Sequence, residues 1–104
     1  MAVSAEYFEY MKEQLSLLSD VKFKSMMGEY IVYYKGKIAA YICDDRFLVK
    51  TVPSASALLP EARLEEPYEG AKKMILVEET DDRELLKKLF ERMYGELPEP
   101  KKKV

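Results

Sequence analysis

The sequence predicts an α+β fold, in which an N-terminal and a C-terminal helix pack on an antiparallel β-meander sheet. Two observations support this fold: apolar residues recur at helical spacing at both ends of the chain, and strand-like alternation with turn residues fills positions 21–50. The 104 residues suit a single domain, which we place at 1–97. Residues 98–104 contain Pro and Lys and are expected to form a disordered basic tail.

The N-terminal helix is predicted from Ser4 to Leu18. Ser4 is a suitable N-cap, because its hydroxyl can accept a hydrogen bond from a free N–H of the first turn. Phe8, Met11 and Leu15 recur at spacings of three and four, which places them on one face of the helix.

Four strands with tight turns are predicted next. They cover Val21–Lys24, Tyr30–Tyr34, Ile38–Cys43 and Arg46–Lys50. Lys35-Gly36 is predicted to be a hairpin turn, with Gly36 supplying the positive φ that such turns need. Asp44-Asp45 is predicted to be the next turn, because Asp side chains bond their own backbone there. Gly28 is expected at a sharp reversal or bulge, also with positive φ.

A less regular stretch separates this sheet from the last helix. Ser54 is expected to cap a short helix that ends at Pro60. The segment Leu64–Lys73 is polar and contains a turn at Pro67-Tyr68-Glu69-Gly70. Met74–Val77 is predicted to be a short apolar strand.

The C-terminal helix is predicted to start at a pair that resembles a capping box, Asp81 with Glu84. Gly95 is a natural stop for it. Its apolar face comprises Leu85, Leu86, Leu89, Phe90, Met93 and Tyr94.

Composition and charge disfavour several classes of protein. The 17 basic and 19 acidic residues give a net charge of −2, without the basic excess typical of nucleic-acid binders, so no direct nucleic-acid binding is expected. The single cysteine excludes an internal disulfide. No secretory signal and no apolar stretch of about twenty residues is visible, so we expect a cytoplasmic protein without a membrane segment.

The residues that enzymes commonly use are missing. The chain has no histidine, and one cysteine cannot form a thiolate zinc cluster. We therefore expect no catalytic residue, no metal site and no cofactor. Cys43 is expected to be a buried, inert thiol whose pKa is raised by Asp44 and Asp45, rather than a nucleophile. Arg46 is expected to offset the charge of those two carboxylates locally.

Both faces of the predicted sheet are apolar. Successive residues of a strand point to opposite faces, and the central strands carry tyrosine or aliphatic residues on both sides. Either a helix covers the second face or tyrosine hydroxyls reach water from it; alternatively this face binds a partner or a second copy of the chain. The last alternative predicts a weak-to-moderate homodimer. The candidate interaction surface comprises Met26, Met27, Gly28, Glu29, Tyr30, Tyr33, Tyr41 and Tyr68.

Several short motifs follow one another in an order that resembles a known family. They are Met26-Met27-Gly28-Glu29-Tyr30, Tyr33-Tyr34-Lys35-Gly36-Lys37, the run from Ile42 to Lys50, and Pro67-Tyr68-Glu69-Gly70. Together they are similar to the N-terminal domain of the bacterial TfoX (Sxy) competence regulators, over about residues 5–97. Lys24, Met27 and Lys35 depart from the Arg, the Phe and the Asp or Asn usual in that family.

The resemblance implies an α+β fold and a coactivator role in transcriptional control of competence, beside the cyclic-AMP receptor protein. It implies no catalytic residues. Longer members add a C-terminal helical domain, so we expect a stand-alone N-terminal domain here. The first hypothesis for function is a non-enzymatic regulatory or adaptor domain that binds a protein partner, such as a transcription regulator. The alternative is a small-molecule-binding domain with a cleft near Tyr68 and the strand turns.

Overall fold

In the computed structural model, which describes residues 3–98, the helices and strands follow one another largely as the sequence predicts. The helices are α1 (Ala5–Gln14), α2 (Pro53–Leu58) and α3 (Arg83–Met93), and a 3-10 turn follows at Tyr94–Glu96. The strands are β1 (Val21–Met26), β2 (Glu29–Tyr34), β3 (Lys37–Cys43), β4 (Arg46–Val49), β5 (Leu64–Glu65) and β6 (Met74–Leu76). Apart from Pro98, the predicted basic tail lies outside the described residues.

The six strands form one antiparallel sheet in the order β1-β2-β3-β4-β6-β5. The first four strands are neighbours both in sequence and in space, which confirms the predicted meander. Strand β6 pairs with β4, where Leu76 lies opposite Leu48. Strand β5 pairs with β6 through Leu64 and Glu65, inside a segment that was predicted to be irregular. The α+β fold is confirmed.

Three two-residue turns join the first four strands, and both residues of each turn have positive φ. The φ angles are 52° and 86° at Met27-Gly28, 51° and 85° at Lys35-Gly36, and 52° and 54° at Asp44-Asp45. Two consecutive left-handed residues are the signature of a type I′ turn, whose twist matches that of the strands it joins. The predicted turns and the positive φ of both glycines are confirmed.

The caps of the long helices differ slightly from the predictions. Ser4 is the N-cap of α1, and its Oγ accepts a 3.1 Å hydrogen bond from the Tyr7 backbone N–H. Helix α1 ends at Gln14, four residues before the predicted end. Asp82 rather than Asp81 caps α3, and its Oδ1 accepts a 3.0 Å bond from the Leu85 N–H.

The predicted cap of the short helix α2 is wrong. Val52 occupies the N-cap position without a side-chain bond, and Pro53 begins the helix. Proline suits this position because its φ is already helical and its missing N–H has no partner to lose. The backbone N–H and the Oγ of Ser54 instead donate to the Glu96 carboxylate, at 2.8 and 2.7 Å.

The end of α3 also differs from the prediction. Gly95 lies within the 3-10 turn and is not among the residues with positive φ. It therefore does not act as a left-handed cap. The chain leaves the helix by tightening its last turn instead.

The main core lies between the helices and one face of the sheet. Met11 and Leu15 contribute from α1 and its C-cap, and Ala55 contributes from α2. From α3 the core receives Leu86, Leu89, Phe90 and Met93. The sheet contributes Val32, Tyr34, Ala40, Ile42, Phe47, Val49 and Ile75. Both terminal helices therefore pack on the same face, as predicted.

Candidate functional site

The opposite side of the sheet, here called the helix-free face, has a small apolar cluster of its own. Cys43, Leu48 and Met74 are buried there, with Tyr41 and Leu76 packed against them, and no helical residue belongs to the cluster. Strand register and alternation place the following residues on this face: Lys22, Lys24, Met26, Glu29, Ile31, Tyr33, Tyr41, Cys43, Arg46 and Leu48. Within residues 3–98, a helical cover for the second face is therefore not found.

Residues 66–73, here called the strap, are held against the helix-free face by Arg46. Its guanidinium donates to the Glu65 carboxylate at 2.8 Å. It also donates to the backbone oxygens of Glu66 and Pro67, at 3.2 and 3.3 Å. The ion pair of Arg46 is thus with Glu65 rather than with the turn carboxylates, and Asp45 accepts a 2.8 Å bond from the Ser4 N–H.

A cavity of about 250 Å³ lies between the strap and the sheet. It is lined by Tyr41, Lys50, Thr51, Pro67, Tyr68, Ala71, Lys72, Lys73 and Met74. Every polar side chain in this set can donate a hydrogen bond, three of them are cationic, and none is a carboxylate. The cavity lies near Tyr68, as predicted, but no residue of the strand turns lines it. Its polar lining suits an anion.

The sheet part of this face carries more positive than negative charge. Lys22 and Lys24 project from β1 on the side away from the core residue Phe23. Neither of them, nor Lys50, belongs to any of the ion pairs found among residues 3–98. Glu29 is the carboxylate that remains on this part of the face once Glu65 is paired with Arg46. The overall charge of −2 conceals this local excess of lysine.

The tyrosines of the face are close neighbours. Burial is the main reason that the pKa of Tyr41 is raised, and the nearby hydroxyls of Tyr68 and Tyr33 raise it further. Tyr68 is 51% exposed, so its ring is available to a binding partner. Three tyrosines therefore extend from β2 to the strap across the middle of the face.

Cys43 is buried, as predicted, with no exposed surface. Burial raises the pKa of its thiol to about 12, and the Glu29 carboxylate beside it adds to the shift. Asp44 contributes less than Glu29 does, so the sequence-based explanation by the turn carboxylates names the smaller cause. A thiol that stays protonated at neutral pH is a poor nucleophile.

The eight residues predicted to form one surface lie at four places: the helix-free face, the strap, the tip of the β1–β2 hairpin and the helix side of the sheet. Met26, Glu29, Tyr33 and Tyr41 lie on the helix-free face, and Tyr68 lies on the strap above it. Met27, which is 96% exposed, and Gly28 form the tip of the β1–β2 hairpin.

Tyr30 lies on the side of the helices, where its ring stacks on Phe8 with centroids 3.8 Å apart. It is therefore not part of the helix-free face. The sequence prediction also missed the lysines of the cavity, Lys50, Lys72 and Lys73. For Lys22 and Lys24 a signal was present, since they alternate with core residues along β1.

Two further features bear on the candidate site. Among the described residues, no group of three or more His, Cys, Asp and Glu side chains is placed to hold a metal ion. No helix within residues 3–98 has the length and apolar character needed to cross a membrane.

Comparison with known proteins gives one family and one relative. A family model, the TfoX N-terminal domain, matches residues 13–96, which include all six strands. An uncharacterised 12.7 kDa protein from the trpE 5′ region of Spirochaeta aurantia is 31% identical over 72 residues. That alignment covers 69% of this chain and 63% of the relative, so the chain spans less than two thirds of that protein. No solved structure matches the chain.

Proposed function

Because this chain belongs to the TfoX N-terminal domain family, we propose that it is a non-enzymatic regulatory domain that acts by binding a protein partner. The family resemblance favours a partner within transcriptional control of competence. The single observation that carries the proposal is the helix-free face, where tyrosines and unpaired lysines occupy a sheet surface that no helix among the described residues covers.

The residues of this face are of the types that protein interfaces use. Tyrosine and methionine are enriched in such interfaces. Tyrosine offers a large contact area with few rotatable bonds, and methionine offers a flexible side chain that adapts to its partner. Tyr33 and Tyr41 are only partly buried, and Met27 extends the apolar surface at the hairpin tip. The surface therefore suits a partner that offers apolar side chains of its own.

The lysines favour an acidic partner. Lys22 and Lys24 lie beside Tyr33, and residues 3–98 supply no carboxylate that pairs with them. Complementary charge on a partner would speed association and align the two surfaces. A second copy of this chain would bring lysines against lysines, so a homodimer through this face is the less favourable pairing at low ionic strength.

Charge reversal on one face tests the proposal. We would change Lys22→Glu together with Lys24→Glu, and use Lys88→Glu together with Arg92→Glu on the exposed side of α3 as the matched control. Both double variants alter the net charge equally. We expect a transcription regulator to co-purify with the wild-type chain and the control, and to be lost from the first variant. Equal recovery with both variants would contradict the proposal, provided circular dichroism shows that both are folded.

A further inference from the structure

We propose that the cavity between Tyr41, Lys50 and the strap is a binding site for a small phosphate monoester. This inference specifies the alternative hypothesis of a small-molecule site and does not depend on the protein partner proposed above. Its basis is the combination of three ammonium groups, three hydroxyls and two aromatic rings around one volume of about 250 Å³.

The polar lining points to an anion. Lys50, Lys72 and Lys73 surround the cavity, and none of them belongs to an ion pair within residues 3–98. The strap also contains Glu66 and Glu69, but neither lines the cavity. Three cationic side chains line this one space, and a bound anion would attract all three. The hydroxyl of Thr51 adds a neutral donor to the same lining.

The number of cations favours a phosphate over a carboxylate. A phosphate monoester carries a charge of about −1.5 to −2 at neutral pH, with three acceptor oxygens. A carboxylate carries one charge and two oxygens, so it would leave part of the lysine charge uncompensated. Lys50 is partly held in place by the Tyr41 ring, since its Nζ lies 5.8 Å from the ring centroid.

The remaining walls are apolar and fit a small organic group on the phosphate. Tyr41 and Tyr68 offer rings, and Pro67 and Met74 complete the lining. Drug-sized ligands occupy cavities of about 300–1,000 Å³, so a cavity of about 250 Å³ suits a smaller molecule. We therefore infer a phosphate monoester that carries one ring or a short apolar group.

The phosphate monoester has two possible sources, a free phosphorylated metabolite or the terminal phosphate of a single-stranded nucleic acid, because the internal phosphates of such a strand are diesters with one negative charge each. A groove lined by Lys22, Lys24 and Tyr33, and also by Asp20, Phe23 and the Lys35-Gly36 turn, lies at the β1 edge of the sheet, and a single-stranded nucleic acid could extend along it. Phosphates on lysines and bases on tyrosines are the general means by which sheets bind single strands. The experiment must therefore distinguish a free small molecule from a single-stranded nucleic acid.

Binding of phenyl phosphate, followed by calorimetry and by amide chemical shifts of residues 66–73, tests the site. We expect saturable binding that weakens at least about tenfold in the Lys72→Gln, Lys73→Gln double variant, because this variant removes two of the three lysine charges that would bind the phosphate. The control double variant, Lys87→Gln with Lys88→Gln on α3, removes the same charge and should bind as the wild type does. No saturable binding, or equal losses in both variants, would overturn the proposal.

A second titration, with a 5′-phosphorylated single-stranded oligonucleotide, identifies the source. In one outcome, the oligonucleotide binds more tightly than phenyl phosphate and loses that binding in the Lys72→Gln, Lys73→Gln variant. This result supports the site and identifies a single-stranded nucleic acid as its ligand. Oligonucleotide binding that is no tighter than phenyl phosphate binding supports a free metabolite as the ligand. Strand binding that depends on Lys22 and Lys24, while phenyl phosphate does not bind, overturns the cavity site. Loss of protein capture on charge reversal at Lys22 and Lys24 is a separate outcome, so either proposal can fail alone.

Discussion

The guanidinium of Arg46 lies 2.8 Å from the carboxylate of Glu65, and one of its amino groups belongs to both this ion pair and a bond to the strap backbone. These contacts connect β4 to residues about twenty positions later in the chain. They hold the first residues of the strap, Glu66 and Pro67, against the sheet. One side chain thus links β4 to Pro67, which lines the candidate site.

Replacing this side chain should loosen the strap while the sheet remains intact. We expect Arg46→Ala to lower the free energy of unfolding by about 1–3 kcal/mol, since it removes hydrogen bonds from a partly buried charged group. We also expect the substitution to accelerate amide hydrogen exchange more in residues 66–73 than in the rest of the chain. Arg92→Ala, on the exposed side of α3, is the control and should change neither quantity. Unchanged exchange in the strap would contradict the role given to Arg46.

Turn geometry predicts a selective effect of alanine at glycine positions. Gly36 has a φ of 85°, and a Cβ there would meet nothing within 4 Å, so Gly36→Ala tests backbone strain alone. We expect a loss of about 1 kcal/mol in the free energy of unfolding. Gly95→Ala is the control, because Gly95 also has open space and lacks a positive φ. Denaturant midpoints of the two variants give the comparison, and equal midpoints would argue against strain at Gly36.

The buried thiol predicts that the protein loses stability in alkali. In the folded chain the pKa of Cys43 is raised from 9.0 to about 12, mainly by burial. Between these values the unfolded chain releases the proton while the folded chain retains it, so rising pH favours unfolding. We expect the free energy of unfolding to fall from about pH 9 towards pH 12, and the fall to be shallower in Cys43→Ala. Urea titrations at increasing pH measure both slopes, and identical slopes would exclude Cys43 as a cause.

The lysines predict how salt affects self-association. The homodimer expected from the apolar sheet pattern would bring two helix-free faces together. Lys22, Lys24 and Lys50 of one copy would then lie against the same lysines of the second copy. We therefore expect little dimer at about 0.1 M salt and more at about 1 M, where the screening length falls from about 10 Å to about 3 Å. Sedimentation equilibrium measures the mass, and Tyr33→Glu should abolish the dimer without unfolding the chain. A dimer that weakens as salt increases would be inconsistent with this face.

Local signals in the sequence were sufficient for the first four strands, because each turn carries residues that accept a positive φ. They were insufficient for β5, since Leu64 and Glu65 form a strand only by pairing with the distant β6. The predicted α1 was too long because Leu15 and Leu18 keep helical spacing. Both residues pack in or against the core after the helix has ended, so spacing reported burial here rather than helix.

The candidate surface was harder to predict than the fold. Alternation correctly separates Tyr30 from Tyr33, but it does not show which of the two faces the helices cover. Residue type alone does not separate the two faces, so the predicted surface includes residues from both faces of the sheet and from the hairpin tip. Lys72 and Lys73 directly precede β6 and reach the site through the pairing of β6 with β4 and the folding back of the strap, and no local pattern encodes either contact.

The open sheet ends in two strands that differ in how they resist unwanted pairing with other chains. Strand β5 has two residues and offers few free backbone groups. Strand β1 has six, but Lys22 and Lys24 alternate with its core residues. A short edge and a lysine-bearing edge both disfavour the strand-to-strand addition that starts aggregation. Removing both lysines at once should therefore make this chain less tolerant of high concentration, whatever ligand or partner it binds.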